Sequence, residues 1–202
     1  MITGDRIGLG WRSELSASIL SNLDRIDLVE VILDDYFEAP LLKLRSLLTL
    51  GKQVPVIYHG VTLGLASSIP VCQKRLEKLA RVIGYLEPES WSEHLAFVRA
   101  GGIEIGHLAA PPRTDATIEG SISNLRKIEK TVGLRPILEN IATLIDLPGS
   151  KLSEPTWTTR ILSESRSGFL LDLHNLYTNA LNFGFGVFSN CSLSITHKSV
   201  QQ

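Results

Sequence analysis

Apolar runs of strand length alternate with helix-patterned stretches along this chain, and that alternation restricts the fold more than any other feature. Strand-like runs fall at residues 6–11, 28–33, 54–59, 90–98, 135–140 and 168–173. Helical patterns lie between them at 13–22, 40–50, 71–86, 115–132 and 156–165. Ser13 and Asp115 are the expected N-caps of the first and fourth helices. Leu41, Leu44, Leu47 and Leu48 share one helical face, and Gly51 is the expected stop behind them. After the fourth strand a long loop is expected, running through Gly101-Gly102 and Pro111-Pro112. Strand–helix–strand repetition predicts parallel, right-handed βαβ units. Six such units, with polar residues at several strand ends, predict an α/β fold of the TIM-type (β/α) barrel kind. A complete barrel takes about 250 residues and each βαβ unit about 30. Residues 174–202 are too few for two more units, so the barrel is expected to be incomplete, its last two strands missing. The division predicted is a partial barrel over 1–186 and a tail over 187–202.

In a parallel α/β architecture the strands all end on one side, so residues at those ends share one cup. Here the ends carry His59, Glu93-His94, Glu139-Asn140 and Asp172 with His174. Imidazoles mixed with carboxylates suit a transition metal. Adjacent strand residues point to opposite faces. His94 is therefore the expected ligand, with Glu93 behind it as an orienting or ion-pairing group. Glu139 is preferred to Asn140 because a carboxylate can bridge two cations, while Asn140 can add a neutral oxygen. Asp172 and His174 share a face if the strand continues, and a buried Asp172 needs a partner. The competing role for Asp172 is an N-cap of a following helix. Glu30, inside the run Leu28-Val-Glu-Val-Ile-Leu33, either points into the bottom of the site or pairs with a lysine.

Composition excludes several classes. With 20% charged residues and a net charge of −1, the chain gives no electrostatic reason to expect nucleic acid or an anionic membrane. No apolar run approaches the roughly 20 residues that span a bilayer, and the start lacks a secretory pattern. Two cysteines, Cys72 and Cys191, make no disulfide framework. A cytoplasmic setting is expected.

Taken in order, several motifs are similar to one family. They are Gly8-Leu9-Gly10-Trp11, Tyr58-His59-Gly60-Val61-Thr62-Leu63, Trp91-Ser92-Glu93-His94-Leu95-Ala96-Phe97 and Pro111-Pro112-Arg113-Thr114. Ile137-Leu138-Glu139-Asn140, Leu170-Leu171-Asp172-Leu173-His174-Asn175-Leu176-Tyr177 and Asn179-Ala180-Leu181-Asn182-Phe183-Gly184 follow. Together they resemble the MbnB/TglH family of multinuclear non-haem iron proteins, long grouped as a domain of unknown function. The resemblance runs from about Arg6 to Gly186. It implies a TIM-type barrel with two or three irons that uses dioxygen to oxidise or rearrange cysteines of ribosomally made peptides. A cysteine-containing precursor peptide and a small partner protein that presents it are the implied partners. Carried over by motif, His59, His94, Glu139 and Asp172 would be iron ligands, with Asn140 and Asn175 as additional ones. His174 stands where many members carry another residue. Members also draw ligands from the last two strands, including a histidine-rich segment that has no counterpart here, and His197 sits in no matching motif. Two other readings compete: a divalent-metal barrel of the xylose-isomerase type, acting as a sugar isomerase or endonuclease, and a non-catalytic fragment.

Overall fold

Parallel strands read as near-continuous apolar runs because helices cover their outer face, and each run here finds that cover. The structure, a computed structural model, describes residues 5–186. The proposed tail at 187–202, with Cys191 and His197, lies outside the described residues. The chain forms β1 (Gly8–Gly10), α1 (Ser16–Leu20), β2 (Leu28–Ile32), α2 (Leu41–Gly51), β3 (Val56–Gly60), α3 (Gln73–Leu86) and β4 (Trp91–His94). It continues through β5 (Phe97–Ala100), β6 (Ile103–Ala109), α4 (Asp115–Val132), β7 (Ile137–Glu139), α5 (Glu154–Ser165), β8 (Phe169–Leu170) and α6 (Leu173–Phe183).

β1, β2, β3, β4, β7 and β8 make one sheet in that order, and every neighbouring pair is parallel. This is the arc of a TIM-type barrel, and it is open among the described residues. Val29, Val31, Tyr58, Trp91 and Leu138 alternate onto the outer face and are buried under the helices. α3 meets them with Leu76, Leu79, Val82, Ile83 and Leu86, a helical stripe. α4 does the same with Ile118, Ile122, Leu125 and Ile128. The main core therefore lies between sheet and helices. The inner face is only half covered, and the edge residues Leu9 and Leu170 are exposed. Among the described residues no helix is long and apolar enough to cross a membrane.

The structure redraws several boundaries. Residues 90–98 are not one strand, because β4 stops at His94 and the chain turns into an antiparallel hairpin of β5 and β6. Gly101 and Gly102 sit at its tip with φ of 57° and 81°, the left-handed pair that a tight hairpin turn requires. The expected long loop is thus mostly strand. α4 is capped by Thr114, not Asp115: the Thr114 side chain accepts from Thr117 N, and Thr117 returns a bond to the Thr114 backbone. Ser13 caps nothing; its hydroxyl pairs with Glu14, and only Ser16–Leu20 is α-helical there. The last strand ends at Leu170, and α6 begins three residues later.

Candidate metal centre

Cross-strand register decides which side chains meet. His59 lies opposite Ser92, and His94 opposite Glu139. Glu30 sits on the same face, two residues before Ile32, which is opposite His59. Period-2 alternation thus puts Glu30, His59, Ser92, His94 and Glu139 on the inner face and turns Glu93 outward. One nitrogen from each of His59 and His94 and one oxygen of Glu139 lie within 4.8 Å of one another.

The detailed geometry shows what this cluster lacks. His59 Nδ1 is hydrogen-bonded to Ser92 Oγ at 2.7 Å. With the ring proton given to Ser92, the Nε2 lone pair faces Glu139 Oε2 at 3.4 Å. His94 Nε2 stands 3.8 Å from Glu139 Oε1. The two rings pack edge to face with centroids 4.5 Å apart, and His94 Nδ1 is buried without a hydrogen bond. Burial, and then His94, pushes His59 down to about 4. Burial also lowers His94. Glu139 is pushed up to about 7 by burial, then by the charges of Asp172 and Glu30. The imidazoles are therefore held neutral, and the His–Glu contacts are not ion pairs. Lone pairs converge on a common point, and the arrangement needs a proton or a cation there. The donor set fits a metal.

Glu93 does not orient a ring. It is 2% exposed, its Oε1 accepts from His94 N at 3.0 Å, and burial raises its pKa well above the ordinary value. A Cβ at Gly60 would lie 2.6 Å from Glu93 Oε2, which is why glycine must follow His59. Glu30 is half-buried and raised, first by burial. The charges of Arg12 and Asp172 act on it in opposite directions, it lies on the cup face, and it pairs with no lysine among the described residues.

Asp172 takes the capping position. Its Oδ1 accepts from Asn175 N at 2.7 Å, opening α6. Its backbone is clamped by Asn140, whose Oδ1 accepts from Asp172 N at 2.7 Å and whose Nδ2 donates to Asp172 O at 3.0 Å. Asn175 donates to Asn140 O at 2.9 Å. The side-chain amides of Asn140 and Asn175 thus tie β7 to α6, while the Asp172 charge still reaches Glu139 and Glu30. His174 lies in the first turn of α6 and is exposed, because the strand that would have placed it beside Asp172 ended earlier.

Three supporting residues escaped the sequence reading. Ser92 was detectable in principle, two positions before His94 and so on its face. Asp34 accepts from Val61 N at 2.9 Å and Thr62 N at 3.0 Å, pinning the turn just after His59-Gly60. Asn179 is 1% exposed and holds the segment after Asn140: its Oδ1 accepts from Thr143 N at 2.7 Å and its Nδ2 donates to Ile141 O at 3.0 Å. Asp34 has no signal in the linear pattern, and Asn179 lies in a motif of the family resemblance that gives it no role.

Comparison with known proteins bears on the family and the fold. The family described as RiPP precursor modification enzyme MbnB/TglH/ChrH matches residues 6–202. A UPF0276 protein of Acaryochloris marina is 31% identical over 178 residues, covering 88% of this chain and 64% of its own length. One from Streptomyces avermitilis is 33% identical over 188 residues, covering 88% of this chain and 37% of its own length. The chain thus spans less than two thirds of either relative. Among solved structures, D-psicose 3-epimerase from Clostridium cellulolyticum H10 superposes with a TM-score of 0.60 at 11% identity, covering 86% of this chain and 65% of that one. The 3-keto-D-glucoside 4-epimerase of E. coli gives 0.56 at 13% identity, with 86% and 70% covered. At those identities the likeness concerns the fold.

Proposed function

The chain belongs to the MbnB/TglH/ChrH family of RiPP precursor modification enzymes, and from that premise we propose that it serves a multinuclear non-haem iron, dioxygen-dependent oxidase of peptide cysteines. The observation that carries the metal part is the convergence of His59, His94 and Glu139 lone pairs inside 4.8 Å. His59, His94 and Glu139 would hold the first ion. Asp172 and Glu30, whose charges already bear on Glu139, would supply negative potential for a second. Iron held there would supply the one-electron chemistry by which dioxygen oxidises a cysteine sulfur.

The chain's own residues prepare the site. Ser92, hydrogen-bonded to His59 Nδ1, holds the ring so that Nε2 faces inward. Asp34 and the Asn140–Asp172 clamp fix the backbone that carries the ligands. The raised Glu139 carboxyl holds a proton that leaves when a cation enters. A cysteine-containing precursor peptide is the proposed substrate, with a small protein presenting it at the cup.

Anaerobic titration of the metal-free protein with Fe(II), followed by metal analysis, tests the first step. At least one tightly held iron per chain is expected, lost in His59→Ala and His94→Ala. Less than one iron in the unaltered chain would overturn the reading. The second step is incubation of the iron-loaded protein in air with a cysteine-containing peptide encoded beside the gene. Oxidation changes the peptide mass, whereas turnover of a ketose with no peptide change would assign a sugar-isomerase activity instead.

A further inference from the structure

At the end of the barrel opposite the cup, three arginines from separate segments line one cavity of about 280 Å³. Arg126 comes from the second half of α4. Arg135 lies just ahead of β7. Arg166 follows the last residue of α5 with φ of 56°. Glu87 shares that left-handed conformation at the end of α3 without any such company, so the backbone geometry alone assigns nothing. What is particular here is the gathering of charge.

Arg135 Nη2 is paired with Glu129, but its Nε is buried without a hydrogen bond. The guanidiniums of Arg126 and Arg166 have no hydrogen bond or ion pair among the described residues. The one acid on the cavity wall, Glu164, has its Oε1 3.7 Å from Arg160 Nε. With Glu129 on Arg135 and Glu164 on the wall, three guanidiniums still outnumber two carboxylates, and the excess like charge and the unpaired buried Nε of Arg135 are both costly. Both costs fall if an anion sits among them. Planar guanidiniums offer paired N–H donors that match the edges of a tetrahedral oxyanion. The floor, Ile122 and Leu125, is apolar and excludes competing polar contacts from below.

We propose that Arg126, Arg135 and Arg166 bind an oxyanion of the phosphate type, either inorganic phosphate or the phosphate group of a small monoester. This site is separate from the metal cup and does not rest on the iron reading. Calorimetric titration of the full chain with inorganic phosphate, at constant ionic strength set by chloride, tests it. Saturable binding at one site per chain is expected, and Arg126→Gln and Arg166→Gln should each weaken it at least about tenfold. Both side chains are exposed and unpartnered, so these variants should melt as the unaltered protein does. Arg45→Gln, exposed on α2 and away from the cavity, should bind phosphate normally. Phenyl phosphate separates the sources: tighter binding than phosphate assigns a monoester, weaker binding the free ion. Heats no larger than those of added chloride, or an equal loss in Arg45→Gln, would overturn the proposal. Iron uptake at the cup should be the same in all three variants.

Discussion

Replacing Asn179 by leucine should destabilise the protein far more than its modest size suggests. The two side chains branch alike with the same number of heavy atoms, and leucine is the bulkier, so no cavity opens. What changes is hydrogen bonding, because Asn179 accepts from Thr143 N at 2.7 Å and donates to Ile141 O at 3.0 Å. Thr143 and Ile141 are 7% and 5% exposed, so water cannot replace the lost partner at either group. Each stranded backbone group costs about 1–3 kcal/mol, and the two together roughly 2–6 kcal/mol before relaxation. That is a large share of the roughly 5–15 kcal/mol that holds a domain folded. Urea unfolding reads it directly: with a slope of about 2 kcal/mol per molar, the midpoint should fall by roughly 1 M or more at unchanged slope. Asn182→Leu removes one bond, from Nδ2 to Thr143 O at 2.6 Å in a half-buried place, and should cost less than half as much. The segment so released follows Glu139-Asn140 directly, so Co(II) affinity at the cup should fall as well. A midpoint shift below about 0.3 M, with metal affinity intact, would refute the idea that this asparagine ladder holds the site together.

Gly60→Ala should cost about 1–3 kcal/mol, since its Cβ would sit 2.6 Å from the buried Glu93 carboxyl. Gly84→Ala, in open space on α3, should instead stabilise by up to about 1 kcal/mol, and thermal melts giving both the same sign would contradict the packing argument. Ser92→Ala frees the His59 ring and should weaken Co(II) binding about tenfold, a loss visible in the visible spectrum. The pH dependence of the metal-free protein follows from two opposed shifts. Glu139 is raised to about 7, so its contribution is complete below the unfolded value near 4.5 and is lost as pH rises through about 7. His59 is lowered to about 4, so its contribution is complete above about 6.5 and is lost as pH falls toward 4. Between about pH 4.5 and 6.5 the two oppose and largely cancel, so Glu139→Gln should unmask a melting temperature that rises with pH over that range; an unchanged profile would show that Glu139 is not the group responsible.

The barrel class and much of the cup were legible in the order of residues because both rest on local periodicities. Strand–helix alternation specifies parallel units. A period of two puts His94 on one face and Glu93 on the other without reference to any neighbour. Other features had no local signature. The stop of β4 at His94 depends on the antiparallel pairing of β5 with β6 around two left-handed glycines. For Asp172 a strand-end ligand is the first expectation and a helix cap the competing one, and its cap on Asn175 and its tie to Asn140, 32 positions earlier, come only with the tertiary fold.

Tertiary structure alone made Asn179 a clamp, made Ser92 the partner of His59, and gathered Arg126, Arg135 and Arg166 around one cavity. The order of residues determined which donors lie at strand ends, because side-chain direction along a strand repeats every two residues. It could not determine the distances between them. Those follow from the register of strands and the seating of helices, contacts that join segments dozens of residues apart.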